Sequence, residues 1–344
     1  MTKSPRRAHQ KKPSMYDVAR AAGVSQTTVS FVVNNAANAN ISQETRDRVR
    51  SAIQELGWRP NAMARALTLR RSHIIGFVSD EIATSPYAGK MIQGAQDTAL
   101  ANNMMLMVVN TQNDPAVEAS AVEMLLEQQV EAFIYATMYH RAVSLPAALS
   151  HAPVVLLDCT SPDRSLPSVV PDETQGGRTA TETLLARGRQ RIGFINNVDP
   201  IPATFGRLQG YKQALAAAGV EYDGRLVRAG KSTAVEGHRC ALELLALPEP
   251  PTALFCFSDV MAMGAYDAVR KRGLSIPDDV AVIGFDNFEL IAAQLYPPLT
   301  TMELPHYQMA QWAVRHLLDQ VDSAGEMAPV QHTVACPLVT RESA

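Results

Sequence analysis

The stretch GVSQTTVSFVVNN, residues 23–35, has the pattern of a short amphipathic helix with a polar leading end. Ser25 can cap the free N–H groups of a helix that runs from Gln26 to about Asn34. Valines recur along it at the i, i+3 and i+4 spacing of a core-facing stripe, namely Val29, Val32 and Val33. Short amide and hydroxyl side chains at a helix N-terminus can read base edges, although an isolated segment of this kind is more often a solvated helix face.

The flanking segments predict two further helices. Upstream, SMYDVARAAG places Ser14 and Asp17 at the spacing of a capping box, and Gly23 can end that helix. Downstream, SQETRDRVRSAIQELGW is closed by Gly57. Its apolar stripe consists of Val49, Ile53 and Leu56. The first two helices, joined by a tight glycine turn, form a helix-turn-helix, and the third completes a small shared core.

Charge separates this region from the rest of the chain. Residues 1–71 hold 13 Lys and Arg against 4 Asp and Glu, whereas the whole chain has 31 against 34. A basic small domain on an acidic larger one is typical of a nucleic-acid reader, because phosphate neutralisation supplies most of the non-specific affinity. Residues 1–13 are basic, contain no acidic residue and are predicted to be a disordered arm.

Residues 15–69 resemble the DNA-binding headpiece of the lactose repressor and galactose repressor family. The matching stretches are YDVARAAGVSQTTVSFVVNN, SQETRDRV and GWRPNAMARAL. The resemblance implies a headpiece over residues 14–59 and a hinge helix and linker over residues 60–71. It further implies that Gln26 and Thr27 read the major groove and that Leu67 enters the minor groove as an apolar wedge. The implied DNA-contacting set is Tyr16, Ser25, Gln26, Thr27, Thr28, Ser30, Phe31, Asn34, Thr45, Asn61, Ala64 and Leu67.

Phe31 departs from the better-known members of that family, which often carry Arg or Asn at this position. It lies off the valine stripe, so we expect it to be at least partly exposed. Contact with a thymine methyl or a sugar edge is one interpretation. Folding back onto the headpiece core is an equally acceptable one.

The remainder of the chain alternates apolar runs with helical patterns. The runs predicted to be buried strands are HIIGFVS, MLMVVNT, EAFIYAT, PVVLLD, RIGFIN, TALFCFS and VAVIGFD. This βαβ spacing predicts an α/β fold with parallel sheets covered by helices. In such sheets ligands bind beyond the carboxyl ends of the strands, so the polar residues that end each run are candidate site residues.

This half resembles the regulatory domain of the same family, a two-lobed fold shared with periplasmic sugar-binding proteins. The resemblance implies an effector domain over residues 72–344. Lobe one would comprise about 72–171 and 304–331, and lobe two about 172–303 and 332–344, with three crossovers as a hinge. Arg207 of GRLQGY and Asp286 of GFDN occupy the positions that hold the effector in relatives. The full candidate set is Asp80, Glu81, Tyr87, Asp158, Arg207, Ser258, Asp259 and Asp286.

The chemistry of Arg207 and Asp286 suits a polyol. A carboxylate accepts from paired hydroxyls while a guanidinium donates to others. Alternatively, Asp286 caps the helix that follows at Asn287, and Arg207 only pairs with a surface carboxylate. Ser232 stands where many relatives stack an aromatic on the effector, so one wall of the site is missing or is supplied elsewhere. Clustered carboxylates argue against an anionic effector or a purine and favour a neutral mono- or oligosaccharide.

Other classes of protein fit less well. An enzyme is not predicted, because the sequence has no phosphate loop or nucleophile elbow and its four cysteines lack metal-ligand spacing. We therefore predict neither cofactor nor metal. A sugar-binding transport protein would share the two lobes but not the headpiece, and no run is long enough to span a membrane. The expected location is the bacterial cytoplasm, at the nucleoid.

The implied partners are a palindromic operator, a small-molecule effector and a second copy of the chain. One recognition helix reads only a half-site, so a homodimer is predicted. Closure of the lobes on a ligand would weaken DNA binding, as in an induced repressor of carbohydrate uptake or catabolism genes. The alternative within the family is a ligand that strengthens DNA binding.

Overall fold

The computed structural model describes residues 13–34, 40–59, 72–85, 88–323 and 328–344. These residues belong to two compact units, one up to Ser72 and one from His73 onward. The predicted hinge helix with Asn61, Ala64 and Leu67 lies outside the described residues, as do the basic arm up to residue 12 and Tyr87.

The smaller unit contains the predicted helix-turn-helix and third helix. Its helices are α1 (Met15–Ala22), α2 (Gln26–Val33) and α3 (Gln43–Leu56). The Ser14 hydroxyl accepts from the Asp17 N–H and the Asp17 carboxylate accepts from the Ser14 N–H, which confirms the capping box. Ser25 caps α2 through the Thr28 N–H, and Gly23 ends α1 in the left-handed conformation with φ of 64°.

The core of this unit is small and tightly shared. Its fully buried members are Val18, Ala19, Ala22, Val29, Val32, Val49, Ala52 and Trp58. The predicted stripe of α3 was partly wrong: Leu56 is 36% exposed, and Ala52 takes the inner position. Ala52 and Val49 are three residues apart, so they share a face of the helix, whereas Leu56 lies in the last turn, where the helix passes the edge of the core.

The larger unit has two lobes, and each is built on one six-stranded sheet. The strands of lobe one are β1 (Ile74–Ser79), β2 (Met105–Asn110), β3 (Ala132–Ala142), β4 (Val154–Thr160), β5 (Ser168–Pro171) and β11 (Gln331–Val334). Its helices are α4 (Gly89–Ala101), α5 (Pro115–Glu127) and α11 (His306–Asp322). The sheet order is β11-β5-β4-β3-β1-β2, and every pairing is parallel. Apolar side chains from α4 and α11 pack in one core cluster and those from α5 in another.

Lobe two repeats the plan with one reversed strand. Its strands are β6 (Ile192–Asn197), β7 (Val227–Gly230), β8 (Ala253–Cys256), β9 (Ala281–Asp286), β10 (Thr300–Glu303) and β12 (Leu338–Val339). Its helices are α6 (Glu173–Ala186), α7 (Pro202–Ala217), α8 (Ala234–Leu245), α9 (Asp259–Lys271) and α10 (Glu289–Ala292). The sheet order is β12-β10-β9-β8-β6-β7, with β12 antiparallel to β10 and the other strands parallel.

The chain crosses between the lobes three times, as predicted. The crossings follow Pro171, follow Glu303, and lie between Val334 and Leu338. The predicted return to lobe two at residue 332 was wrong, because β11 pairs with β5 in lobe one as far as Val334. Its ladder of backbone hydrogen bonds with β5 holds those residues in the first sheet.

One strand differs from the sequence prediction in its burial. All seven apolar runs form strands, but β2 is the edge strand of its sheet and is largely exposed. Met105 is 58% exposed and Met107 37%. An apolar run indicates burial somewhere in the functional molecule, and within this single chain nothing described covers that edge.

Two glycines allow the close approach of α6 and α7, the helices that carry Glu173 and Arg207. A Cβ at Gly210 would lie 2.1 Å from the carbonyl oxygen of Thr174, and one at Gly177 would lie 2.4 Å from that of Arg207. Any side chain at either position would push the two helices apart. In the described residues, no helix is both long and apolar enough to cross a membrane.

Candidate functional site

The face of α2 that the sequence assigned to DNA is accessible. Gln26 and Thr27 are exposed at the start of the helix, and Asn34 is exposed at its end. Thr28 and Ser30 are half-buried. Side chains bond to each other along this face: the hydroxyls of Ser25 and Thr28 lie 2.9 Å apart. The polar groups are thus held in place near the helix N-terminus, where amides and hydroxyls can approach base edges.

Phe31 lies on the surface of the headpiece. Its side chain is 43% exposed and it is absent from the core cluster, so the interpretation in which it folds back onto the core was wrong. Tyr16 is 59% exposed. Thr45, near the start of α3, is half-buried, with its hydroxyl 2.9 Å from that of Ser42. An exposed aromatic ring on the same helix as these polar groups can make an apolar contact with DNA.

The larger unit contains a cavity of about 640 Å³ between its two lobes. Of the predicted effector residues that the structure describes, the ones that line this cavity are Glu81, Asp158, Arg207, Ser258 and Asp286. Ser232 lines it as well. Residues from the ends of β4 and β9 thus meet α7, although they are far apart in the sequence. The rule that ligands bind at the carboxyl ends of parallel strands thus predicted residues that line a shared cavity.

Arg207 is buried in the cavity wall and engaged with neighbouring groups. Its Nε donates to one Glu173 oxygen at 2.7 Å and its Nη2 to the other at 3.3 Å. The guanidinium carbon lies 4.3 Å from the ring centroid of Phe257 and 3.6 Å from that of Phe285. Nη1 lies 3.7 Å from Asp286 and also donates to the Phe257 carbonyl. The alternative in which Arg207 pairs with a surface carboxylate was wrong, because its partner Glu173 is buried and lines the same cavity.

Asp158 is a buried lining residue with an unpaired side-chain oxygen. It is 5% exposed, its backbone is left-handed with φ of 57°, and its Oδ1 has no hydrogen-bond partner among the described residues. Burial raises the pKa of this carboxyl well above its ordinary value, and the negative charge of Glu173 raises it further. A buried acceptor that stays unpaired in this way is costly to the fold.

Asp286 ends β9 in a strained conformation with φ of 112°. Its side chain is 7% exposed. The residue that precedes α10 is Phe288, and that helix has no side-chain cap, so the alternative in which Asp286 acts as its cap was wrong. The carboxylate therefore stays at the cavity, next to the Arg207 guanidinium.

Two predicted site residues tie loops instead of lining the cavity. The Asp80 carboxylate accepts from the backbone N–H of Met138 at 3.0 Å and pairs with Arg141 at 3.1 Å. Asp259 is fully buried and accepts from the Thr301 hydroxyl at 2.6 Å and the Phe288 N–H at 2.7 Å. Neither is among the residues that line the cavity. Strand-end carboxylates serve equally well as acceptors for nearby backbone N–H groups.

Ser258 has both a structural and a lining role. Its hydroxyl caps α9 through the Met261 N–H at 3.3 Å and lies 2.7 Å from the Ser232 hydroxyl. Aromatic walls that Ser232 cannot supply come from other elements. They are Tyr139, Phe257 and Phe288.

The sequence prediction missed several lining residues. The polar ones are Thr84, Ser85, His140, Glu173, Asn197 and Asp199. Asn197 and Asp199 follow the run RIGFIN, so the strand-end rule that gave Asp158 could have found them. Glu173 begins a helix, and nothing in its local pattern indicates that it faces Arg207. Burial lowers the pKa of His140, which favours the neutral imidazole there.

Comparison with known proteins agrees with both units. The sequence model of "Bacterial regulatory proteins, lacI family" matches residues 14–61, and that of "Periplasmic binding proteins and sugar binding domain of LacI family" matches residues 72–342. The HTH-type transcriptional regulator DegA of Bacillus subtilis is 34% identical over 96% of this chain and 98% of its own length. The HTH-type transcriptional repressor CytR of Escherichia coli is 32% identical over 96% of both chains.

Solved structures show the same architecture. The Lac repressor dimer bound to operator and the anti-inducer ONPF is 28% identical, with a TM-score of 0.80 over 97% of this chain and 99% of that one. A helix-turn-helix unit followed by a two-lobed α/β unit with a cavity between the lobes defines a DNA-binding transcriptional regulator of the periplasmic-binding-protein-like type. The chain belongs to the LacI family of bacterial regulatory proteins.

Proposed function

We propose that this regulator represses transcription by binding a palindromic operator as a homodimer, and that a small sugar in the interlobe cavity relieves the repression. The observation that carries the proposal is the cavity itself, which is lined by Asp158, Arg207 and Asp286 and lies in the same chain as an exposed recognition helix. The proposed site of action is the bacterial cytoplasm, and the proposed targets are genes for carbohydrate uptake or catabolism.

DNA recognition would use the polar leading end of α2. Gln26 and Thr27 are proposed to contact base edges, because an amide can donate and accept at once and a hydroxyl can do either. Phe31 would contact a thymine methyl from the same helix. The exposed Tyr16 and the half-buried Thr45 would hold phosphates, and the predicted hinge would contribute Leu67 in the minor groove.

The proposed dimer partner is a second copy that covers the exposed edge of lobe one. The apolar side chains of this edge, which come from α4, β2 and α5, are Leu100, Met105, Met107, Val108, Val117 and Met124. Their exposed fractions run from 36% to 58%. Monomeric proteins seldom expose contiguous apolar patches of this kind, and homodimer interfaces are more apolar than other surfaces.

A sugar effector is supported by the cavity and by one relative. A solved structure of the transcriptional regulator CelR in complex with cellobiose is 30% identical, with a TM-score of 0.67 over 96% of this chain. Carboxylates around the cavity disfavour an anion, whereas hydroxyls can donate to them. The cavity volume of about 640 Å³ lies within the range of small-molecule sites.

The direction of the ligand response follows from linkage. If the closed arrangement of the lobes is more stable in the free protein than in the DNA-bound protein, an effector that closes the lobes weakens operator binding. The size of that effect is the coupling free energy, typically about 1–3 kcal/mol. A ligand that instead favours the DNA-bound arrangement would strengthen binding by the same logic, which is the second candidate within the family.

The test is operator binding with and without sugars. The purified full chain would first select its operator from random duplexes, and the best sequence would then be titrated in the presence of mono- and disaccharides. Release by one sugar, with half-sites arranged as a palindrome, is the expected result. A sugar that raises the affinity would favour the second candidate. A chain that binds duplexes without sequence preference would refute the proposal.

A further inference from the structure

Carboxyl groups dominate the ionisable lining of the interlobe cavity. The carboxylates that line it are Glu81, Asp158, Glu173, Asp199 and Asp286. Arg207 is the one Lys or Arg among the lining residues that the structure describes. Carboxylates crowded in a partly desolvated space repel one another, and each additional one raises the cost of keeping the others ionised.

The charge of Arg207 is already opposed by two of these carboxylates. Both guanidinium bonds to Glu173 are within hydrogen-bond distance, and Asp286 lies 3.7 Å from Nη1. The pair is buried, with side-chain exposures of 3% for Arg207 and 9% for Glu173. The remaining carboxylates of the lining therefore have no comparable cation in the described part of the cavity wall.

Asp158 adds an independent observation. This side chain is 5% exposed, it lines the cavity, and its Oδ1 has no hydrogen-bond partner among the described residues. A buried carboxylate with a structural role usually accepts hydrogen bonds from a helix end or a loop, as Asp80 and Asp259 do. The Oδ1 atom of Asp158 accepts no such bond. The arrangement leaves an unpaired, inaccessible acceptor atom on a side chain that lines a cavity rich in carboxyl groups.

We propose that the effector carries a protonated amino group that binds Asp158, so that its class is an amino sugar or a comparable hydroxylated amine. This inference rests on the proposed function of the cavity and narrows the ligand from sugars in general. An ammonium group brings three donors and a positive charge, whereas a hydroxyl brings one donor and no charge. Charge-assisted hydrogen bonds to a carboxylate are shorter and stronger than neutral ones. Tyr139 and Phe288 also line the cavity, and an aromatic ring attracts a cation placed over its face.

The test compares amines with neutral molecules of nearly equal shape. Tris(hydroxymethyl)aminomethane and 1,1,1-tris(hydroxymethyl)ethane form the smallest such pair. Hexosamines, their parent hexoses and their N-acetyl derivatives form the full-size series, in which acetylation keeps the nitrogen but removes its charge. Binding to the full chain would be measured by calorimetry in an amine-free buffer, and operator release by fluorescence anisotropy.

The variant is Asp158→Asn, which keeps the shape and removes the ionisable carboxyl. Glu221→Gln is the control, since Glu221 is an exposed carboxylate outside the cavity. Circular dichroism of both variants would check folding. We expect amines to bind at least tenfold more tightly than their neutral counterparts, and we expect the preference to disappear in Asp158→Asn but to persist in Glu221→Gln.

The outcomes separate this inference from the proposed function. Neutral sugars that bind as tightly as the amines and release the operator would overturn the inference and leave the proposed function intact. Amines that bind with the expected preference but leave operator affinity unchanged would support the inference and refute the proposed function. Absence of binding by every amine in the series would overturn the inference, as would an amine preference that survives in Asp158→Asn.

Discussion

Separate removal of the two partners of the Arg207–Glu173 pair should damage the fold more than removal of both together. The side chains are 3% and 9% exposed, so water screens the pair very little. Loss of one partner strands a buried charge, which typically costs about 3–5 kcal/mol, whereas replacement of both by apolar groups of similar volume is often neutral or stabilising. The prediction therefore concerns a coupling energy and not the sum of two contacts.

The substitutions are Arg207→Met, Glu173→Met and the double variant. Arg207→Met should cost more than Glu173→Met, because it leaves both Glu173 and Asp286 without the guanidinium, whereas Glu173→Met leaves Arg207 beside Asp286 and two aromatic rings. We expect the single variants to lose about 3–5 kcal/mol of unfolding free energy. The double variant should lose less than Arg207→Met alone, because it no longer strands Glu173, and the loss that remains should come from Asp286 without its guanidinium.

The assay is urea denaturation followed by far-ultraviolet circular dichroism. The exposed pair of Arg239 and Glu243 is a matched control, with side-chain exposures of 44% and 43%. Its double Met variant should lose less than about 1 kcal/mol, and its single variants should show almost no coupling. If the losses of Arg207→Met and Glu173→Met simply add in the double variant, the pair is not coupled and this reasoning is wrong.

Four further predictions concern other parts of the molecule. Asp286→Ala should remove the response to the effector, because an unpaired buried polar partner costs about 1–3 kcal/mol; operator affinity without effector should stay unchanged, and a full response in anisotropy titrations would contradict the site. Gln26→Ala should weaken operator binding by about 1–3 kcal/mol and relax the preference at one base per half-site, which titration of operator variants would reveal. Met107→Asp should convert the proposed dimer to monomers in sedimentation equilibrium, since it places a charge on the apolar edge; an unchanged dimer would assign the interface elsewhere. Burial raises the pKa of Asp259 to about 7, so this carboxyl stabilises the fold fully at pH values below its unfolded pKa, and the stabilisation is lost as pH rises through the folded pKa. In Asp259→Asn the urea midpoint should therefore fall less between these two pKa values than in the wild type. Equal falls in the variant and the wild type would contradict the raised pKa.

The sequence by itself determined the features that depend on neighbours along the chain. Helix caps and stops at Ser14, Ser25, Gly23 and Gly57 could be predicted because each acts on backbone groups within a few residues. Buried strands could be predicted for the same reason, since an apolar run between turn residues has few alternatives. The strand-end rule then located Asp158 and Asp286, because the topology of parallel sheets fixes where carboxyl ends meet.

Only the tertiary structure decided what those side chains contact. Asp80, Asp158 and Asp259 all follow predicted strands and look alike in sequence, yet one faces the cavity and two hold loops. The partner of Arg207 is Glu173, which lies 34 residues away on another helix. That contact depends on the close approach of two helices at Gly177 and Gly210, and the exposure of β2 depends on its place at the end of the sheet order. Such contacts depend on how whole helices and strands are placed relative to one another. A local sequence pattern does not specify that placement.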